Sequence, residues 1–331
     1  MNKKAIALFS GGLDSILAVK IIQEQGIDVI ALNYITPVHH SIKNGTSRHK
    51  LQVAGGKLGV DIKIIPLKED FLELVKNPKY GYGKNLNPCI DCRIMLYKKA
   101  KELMPELAAS FIITGEVLGQ RPMSQYRQAM SIIEKESGLE GLILRPLSAK
   151  LLPETIPEKQ GWVIRDKLLS ISGRSRKPQI ELARMFGITD YPAPAGGCLL
   201  TDKCFALRMR DLIEFNEVTL RNIDLLKVGR HFRVAENIKL VVGRDESENN
   251  FLIRQAEETD IIFKTEDYPG PIGLLTGSSA DSDALSLSAS IVARYSDANG
   301  SRIKIACSKR GSVHSLVVEP CAQDFLEEIR V

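Results

Sequence analysis

Short apolar runs alternate with amphipathic stretches through the first two-thirds of the chain, and this alternation predicts the fold. Ala5 to Phe9 reads as a strand, followed by a helix from about Leu13 that Gly26 ends. Asp28 to Asn33 reads as a buried strand, Ser47 to Leu58 as a helix and Asp61 to Ile65 as a third strand. Further strands are predicted at Ala108 to Gly115 and Leu142 to Pro146. Amphipathic helices are predicted at Ile94 to Leu103 and at Ser175 to Phe186, the second ended by Gly187. Tyr80 to Pro88 reads as an exposed loop, and 148–173 shows no clear periodicity. Strand-helix-strand order of this kind implies a parallel α/β sheet with right-handed crossovers.

From about Asp211 the pattern changes to short strands and turns. Strands are expected near Val228 to Arg233, Ile238 onward, Asp260 to Lys264, Ser301 to Ile305 and Val313 to Val318, with a helix from about Ala284 to Tyr295. The expectation is a smaller α+β domain after the α/β one. The predicted division is 1–173, a cysteine-bearing segment 174–215, and 216–331.

At 331 residues the chain can bury two or three cores. A net charge of +5 permits a nucleic-acid partner without requiring one. Met1-Asn-Lys-Lys leads straight into the first strand, and no apolar run is long enough to span a bilayer. A cytoplasmic protein without a membrane partner is expected. Six cysteines in such a chain then point to metal, cluster or redox chemistry where they gather.

The first strand runs into Ser10-Gly11-Gly12-Leu13-Asp14-Ser15 and then into a helix. Gly11 and Gly12 let backbone N–H groups approach an anion, Ser10 and Ser15 add hydroxyls, and the helix N-terminus favours negative charge. Asp14 beside phosphates calls for Mg²⁺ between them, or for a role in orienting the loop. The alternative is a plain strand-to-helix turn capped by Asp14 or Ser15. Its place at the first βα turn, where open α/β sheets bind ligands, favours the phosphate reading.

Cys89 and Cys92 sit in Asn87-Pro88-Cys89-Ile90-Asp91-Cys92-Arg93, at or near a helix N-terminus whose dipole favours thiolate or metal. Gly115 ends a strand and allows close approach to a nucleotide, and Gln120, Arg121, Ser124 and Gln125 follow as candidate contacts to ribose, phosphate or base. Tyr191 to Leu200 is a Pro/Gly-rich loop displaying Cys198, while Cys204 on the next turn reads as structural. The pair His39-His40 lacks metal-ligand spacing and reads as a solvated loop. Cys307 and Cys321 read as buried apolar residues.

The Ser-Gly-Gly-x-Asp-Ser loop resembles that of the N-type (PP-loop) ATP pyrophosphatases. Taken with Asn-Pro-Cys-x-x-Cys, Thr-Gly-Glu-x-Leu-Gly-Gln-x-x-x-Ser-Gln, Leu-Arg-Pro-Leu and Gly-Gly-Cys in that order, residues 3 to 215 resemble the tRNA thiolation enzymes, the 4-thiouridine synthetases and 2-thiouridylases. The resemblance implies an adenine nucleotide alpha hydrolase-like fold. It implies ATP over Ser10, Gly11, Gly12, Asp14 and Ser15, with Gly115 and Gln120 nearby and Mg²⁺ shielding the phosphates. A uridine carbonyl oxygen would attack the α-phosphate, releasing pyrophosphate, and sulfur would then displace AMP. Asp14, Cys89, Cys92 and Cys198 are the implied catalytic residues. In one branch of these enzymes Cys198 would carry a persulfide; in another the three cysteines hold a [4Fe-4S] cluster with one iron open to sulfide. The third cysteine favours the cluster here, also over Zn²⁺, which prefers a fourth protein ligand that Cys204 could supply. Without a fused sulfur carrier, sulfide or a separate donor protein is the expected sulfur source.

In the last third, Gly-Arg-x-x-x-x-Asn, Asp-Ile-Ile-Phe, Pro-Gly-Pro and Ala-Arg-Tyr-Ser resemble the RNA-binding module of the NFACT proteins. Arg230, Arg233, Arg244 and Lys264, with Arg121 of the first domain, are then candidate RNA contacts, and His231 or Phe232 a candidate base-stacking residue. A solvated charged face around a core phenylalanine is the competing reading. The expected partner is tRNA, and the sequence leaves oligomeric state open, a homodimer included. Competing functions are sulfur insertion into a small metabolite or carrier protein, and a non-catalytic RNA-binding nucleotide sensor.

Overall fold

The computed structural model describes residues 3–39, 46–193, 198–277 and 281–331. By contact density the chain divides into two compact units, Met1–Cys198 and Leu199–Val331. The Pro/Gly-rich stretch at 194–197 and His40 lie outside the described residues.

In the first unit β1 (Lys4–Leu8) leads to α1 (Leu13–Gln23), β2 (Asp28–Ile35), α2 (Thr46–Leu58) and β3 (Ile62–Pro66). Next come α3 (Glu69–Lys76), α4 (Cys89–Leu103), β4 (Phe111–Thr114), α5 (Arg127–Ser137) and β5 (Ile143–Leu144), then α6 (Ile156–Lys159) and α7 (Lys177–Met185). The strands form a parallel sheet in the order β3-β2-β1-β4-β5, as the alternating pattern predicts.

Period-two alternation in a strand sends neighbouring side chains to opposite faces, and β1 is apolar on both because both are covered. Ala5 and Ala7 pack with Phe111, Ile113, α1 and α7 in one cluster. Ile6 and Leu8 pack with Ile112, Ile94, Tyr97 and Ile133 in the other. Each fully buried aliphatic side chain contributes roughly 1.5–3 kcal/mol. β1 lies between β2 and β4, so the strand order reverses there, and the crevice beyond the C-terminal ends of β1 and β4 is where such a sheet takes a ligand. Residues 10–15 and 115–121 follow directly from those two ends.

The expected fourth strand is shorter at its start because Ala108 adopts φ 52 and turns the chain. The expected fifth strand stops at Leu144, where Arg145 turns to the buried Glu116 and the partly buried Glu134. Helices α3 and α5 carry amphipathic faces that the reading of the sequence passed over. The expected loop 80–88 is partly buried: Leu86 is covered, and the N–H groups of Lys79 and Tyr80 donate to Asp91.

The second unit contains α8 (Lys203–Glu214), α9 (Leu220–Leu226), β6 (Arg230–Ala235), β7 (Ile238–Val242), α10 (Glu246–Gln255) and β8 (Ile261–Thr265). It continues with β9 (Gly273–Gly277), α11 (Ser282–Arg294), β10 (Ile303–Lys309), β11 (Ser312–Val318) and α12 (Gln323–Glu328). Its antiparallel sheet has the order β11-β10-β8-β9-β7-β6, with α11 packed on one face, which is the predicted α+β pattern. Asp202, Thr219, Asp245 and Asp281 cap α8, α9, α10 and α11 through their side-chain oxygens. Cys307 and Cys321 are buried in this core, as expected.

Candidate nucleotide and cysteine site

The loop after β1 is shaped by its glycines. Gly11 has φ 76, and a β-carbon there would lie 2.8 Å from Leu51 Cδ2. Ser15 Oγ donates to the Gly12 carbonyl at 2.7 Å and lies 3.3 Å from Ser10 Oγ, so the two hydroxyls draw the loop closed. Gly12 is the N-cap of α1 and supplies no side-chain cap. The first-turn N–H groups of α1 therefore have no side-chain acceptor at the cap, the arrangement that suits an anion.

Asp14 Oδ2 accepts from Gln120 Nε2 at 3.1 Å, which joins the loop to the segment after β4. Among the described residues Asp14 Oδ1 is buried without a hydrogen-bond partner, an arrangement that suits a hard cation such as Mg²⁺. Gly115 serves a different neighbour from the one expected. A β-carbon there would fall 2.5 Å from Asp14 C and Ser15 N, so the residue admits the α1 backbone rather than the nucleotide directly. Ser124 and Gln125 are buried and hold the loop: Gln125 Oε1 accepts from Arg121 N at 3.0 Å and its carbonyl from Gly119 N at 2.7 Å. The Gln125 side-chain oxygen is thereby engaged within the 119–125 turn.

Behind this edge lies a buried charge network absent from the predicted site. Arg145 Nε donates to Glu116 Oε2 at 3.0 Å and its Nη1 to Glu134 Oε1 at 2.5 Å. Tyr97 Oη donates to Glu116 Oε2 at 3.0 Å, and Arg93 Nε lies 3.4 Å from Glu116 Oε1. Burial opposes ionisation of Glu116, but Arg93 and Arg145 more than offset it and hold the carboxyl below its usual range. The detectable signal was an arginine at the end of an apolar strand, Leu142-Ile-Leu-Arg145, which needs a buried carboxylate. Arg121, on the solvent side, has its pKa lowered by desolvation and by the Arg93 charge, and it feels Cys89 and Asp14.

Cys89 and Cys92 occupy the first turn of α4. The Cys89 thiol donates to Asn87 Oδ1 at 2.8 Å. Cys92 lies within electrostatic reach of both Cys89 and Cys198, so the three predicted cysteines share one neighbourhood. Burial pushes the Cys92 thiol up to about 12 against the pull of Arg93. The expected lowering at the helix N-terminus does not prevail there, because desolvation of a thiolate outweighs the dipole. Among the described residues no group of three His, Cys, Asp or Glu side chains is gathered to hold a metal. The donor chemistry of three thiols fits an iron-sulfur cluster, whereas ligand geometry is not preassembled. Cys204 is exposed in the first turn of α8, not in a packed core.

In the second unit the predicted RNA contacts separate. Arg233 donates to Asp211 at 2.9 and 2.6 Å and to Glu217 at 3.0 and 2.9 Å, so two carboxylates neutralise it and it is corrected to a structural residue. Lys239 joins the same cluster through Asp211 at 2.6 Å. His231 and Phe232 are fully buried and present no face to a base. Arg244 lies over Glu248 at 2.5 Å and is half exposed, Arg230 stacks on the Tyr295 ring at 4.4 Å, and Lys264 is exposed on β8.

Residues 1–151 match the family described as thiamine biosynthesis protein (ThiI), and residues 229–330 match the NFACT protein RNA binding domain. A probable tRNA sulfurtransferase of Thermococcus kodakarensis is 30% identical over 152 residues, covering 44% of this chain and 36% of its own length. The tRNA-specific 2-thiouridylase MnmA of Sulfurimonas denitrificans is 30% identical over 125 residues, 36% of each chain. The chain thus spans about a third of the length of these curated relatives. The U34-tRNA thiolase NcsA of Methanococcus maripaludis, solved with its [4Fe-4S] cluster, superposes with TM-score 0.35 at 18% identity, over 68% of this chain and 73% of that one. That likeness is too low to carry weight. By its sequence matches and its two folds, this chain joins a ThiI-like PP-loop domain, homologous to tRNA thiolation enzymes, to a C-terminal NFACT-type RNA-binding domain.

Proposed function

We propose that the protein is an ATP-dependent tRNA sulfurtransferase that adenylates a uridine carbonyl oxygen and replaces it with sulfur. The observation that supports this most is convergence: the Ser10 to Ser15 loop, the Asp14–Gln120 pair and the neighbourhood of Cys89, Cys92 and Cys198 all belong to one compact unit. Ser10, Gly11, Gly12 and Ser15 hold ATP phosphates, and the α1 N–H groups stabilise charge on the departing pyrophosphate. Asp14 would hold Mg²⁺, which would shield the phosphate charge, while Gln120 fixes the Asp14 carboxylate. The uridine oxygen forms a bond to the α-phosphorus as the bond to the β-phosphate oxygen breaks. Sulfur then adds to the activated carbon and AMP leaves with the electron pair of the C–O bond.

Cys89, Cys92 and Cys198 would hold a [4Fe-4S] cluster, which would supply an iron with an open position for sulfide. Sulfur comes as sulfide or from a separate donor protein. Functionally the chain divides into 1–173 for adenylation, 174–215 for the third cysteine and 216–331 for RNA. A cytoplasmic setting suits tRNA modification, and among the described residues no helix is long and apolar enough to cross a membrane.

Pyrophosphate release from ATP, with and without tRNA, tests the reading, together with mass spectrometry of the nucleosides in the product. tRNA-stimulated release with a thiouridine product, both lost in Asp14→Asn, is the expected result. Release that ignores tRNA would favour sulfur insertion into a small substrate, and no release at all would favour a nucleotide-sensing RNA binder.

A further inference from the structure

The sequence Val-Gly-Arg occurs twice in the second unit, at 228–230 and 242–244, and the fold brings the two copies together. Arg230 pairs in register with Val242, and its Nη1 reaches the Gly243 carbonyl at 3.5 Å. Both glycines are enforced. A β-carbon on Gly229, at φ 72, would meet the Val242 carbonyl at 2.7 Å, and one on Gly243 would meet Asn249 Oδ1 at 2.2 Å. Glu248 ties the two turns by accepting from Gly229 N at 3.2 Å and Arg244 N at 2.9 Å.

Two further arginines reach the same corner. Arg208 of α8 donates to the carbonyls of Leu226 at 2.9 Å and Gly229 at 3.1 Å, so backbone oxygens hold it in place without removing its charge. Arg330 bridges to Phe232 on the outer edge of β6, and the next residue, Val331, donates to the His231 carbonyl at 3.0 Å. Burial first, and then the nearby charges of Arg244 and Arg330, lower the pKa of Arg208. Of these four guanidinium groups, only Arg244 meets a carboxylate within salt-bridge range among the described residues. Asp202 and Asp245 stand nearby, but each accepts from its own helix N-terminus.

We propose that this arginine corner, Arg208, Arg230 and Arg330 around the paired Val-Gly-Arg turns, is a binding surface for the phosphate backbone of RNA. Cations held by carbonyls and an aromatic ring keep net charge for an anion, whereas Arg233 is neutralised by Asp211 and Glu217 and Arg244 by Glu248. Planar guanidinium groups suit bidentate phosphate contact. Phosphate contacts of this kind hold RNA without reading its sequence. The proposal rests on the RNA-binding half of the proposed function and is independent of the thiolation chemistry.

The test is the salt dependence of RNA binding by the full chain, measured with a tRNA transcript and with an unrelated RNA hairpin between about 50 and 200 mM salt. Arg230→Gln and Arg330→Gln should each lower the slope of log K against log salt by about one, and the double variant by about two, on both RNAs. Arg330→Gln lies at an exposed edge, so it reports even if loss of the Tyr295 stacking disturbs the fold in Arg230→Gln; circular dichroism checks both. Lys309→Gln, exposed on β10, should leave the slope unchanged. Unaltered slopes in the arginine variants, or an equal loss in Lys309→Gln, would overturn the surface. Slopes lowered on both RNAs while no thiouridine forms would uphold it and reject the thiolation reading instead.

Discussion

Gln120 Nε2 donates to Asp14 Oδ2 at 3.1 Å, joining the end of β4 to the first turn of α1 across 106 positions of sequence. A hydrogen bond to a charged group is worth roughly 1.5–3 kcal/mol. Gln120→Ala should therefore weaken Mg·ATP binding about tenfold or more by isothermal titration calorimetry, with the fold intact. Gly115→Ala acts on the same contact from the backbone side, since its methyl would fall 2.5 Å from Asp14 C, and should weaken ATP at least as much. Wild-type affinity in Gly115→Ala would mean that this packing does not set the loop.

Glu116 balances the buried Arg145 and the partly buried Arg93, so its loss should cost more than the bonds it makes. Removing one partner of a buried ion pair costs about 3–5 kcal/mol because the other charge stays behind. Glu116→Ala should lose that much in urea unfolding at pH 7. Because Arg93 and Arg145 depress its carboxyl, the contribution is full above the ordinary carboxylate range and fades only as pH falls through the lower folded value. A loss below 1 kcal/mol would show that the network relaxes.

His231 supplies the opposite kind of group. It is fully buried, its Nε2 lies 2.8 Å from the Val228 carbonyl, and burial with the charge of Arg208 holds its pKa well below the ordinary value. The unfolded chain takes up this proton first, so stability falls as pH drops below about 6.5, by about 1.4 kcal/mol per pH unit. Urea melts of the wild type at pH 7, 6 and 5 should show this slope, and His231→Asn should flatten it. An equal slope in the variant would assign it to other groups.

The cysteine trio is tested by metal content. Anaerobically purified protein should contain about four irons with matching acid-labile sulfide, and Cys198→Ala should lose or destabilise them. Colourless, iron-free protein after attempted reconstitution would instead move attention to sulfur carried on Cys198.

Much of the fold was legible in the chain because strand and helix periodicity is local. The apolar run of β1 pointed to a strand covered on both faces, and the glycines, hydroxyls and position of Ser10 to Ser15 marked a candidate phosphate loop. Helix α5 escaped because its apolar face follows directly on a polar loop. Charged side chains were less legible, since sequence does not say whom they meet. Arg233, within β6, and Arg244, just after Gly243, both read as candidate RNA contacts, yet one is closed off by Asp211 and Glu217 while the other pairs with Glu248 and stays half exposed.

By itself, then, the sequence determined most of the order of elements, the Gly-rich loop after β1 and the cysteine spacing, all of which depend on residues close together in the chain. The tertiary structure decided what Gly115 admits, how Glu116 gathers Arg93, Arg145 and Tyr97, and which arginines keep their charge. Those outcomes turn on contacts between distant positions, where burial and pairing set the strength of each charge.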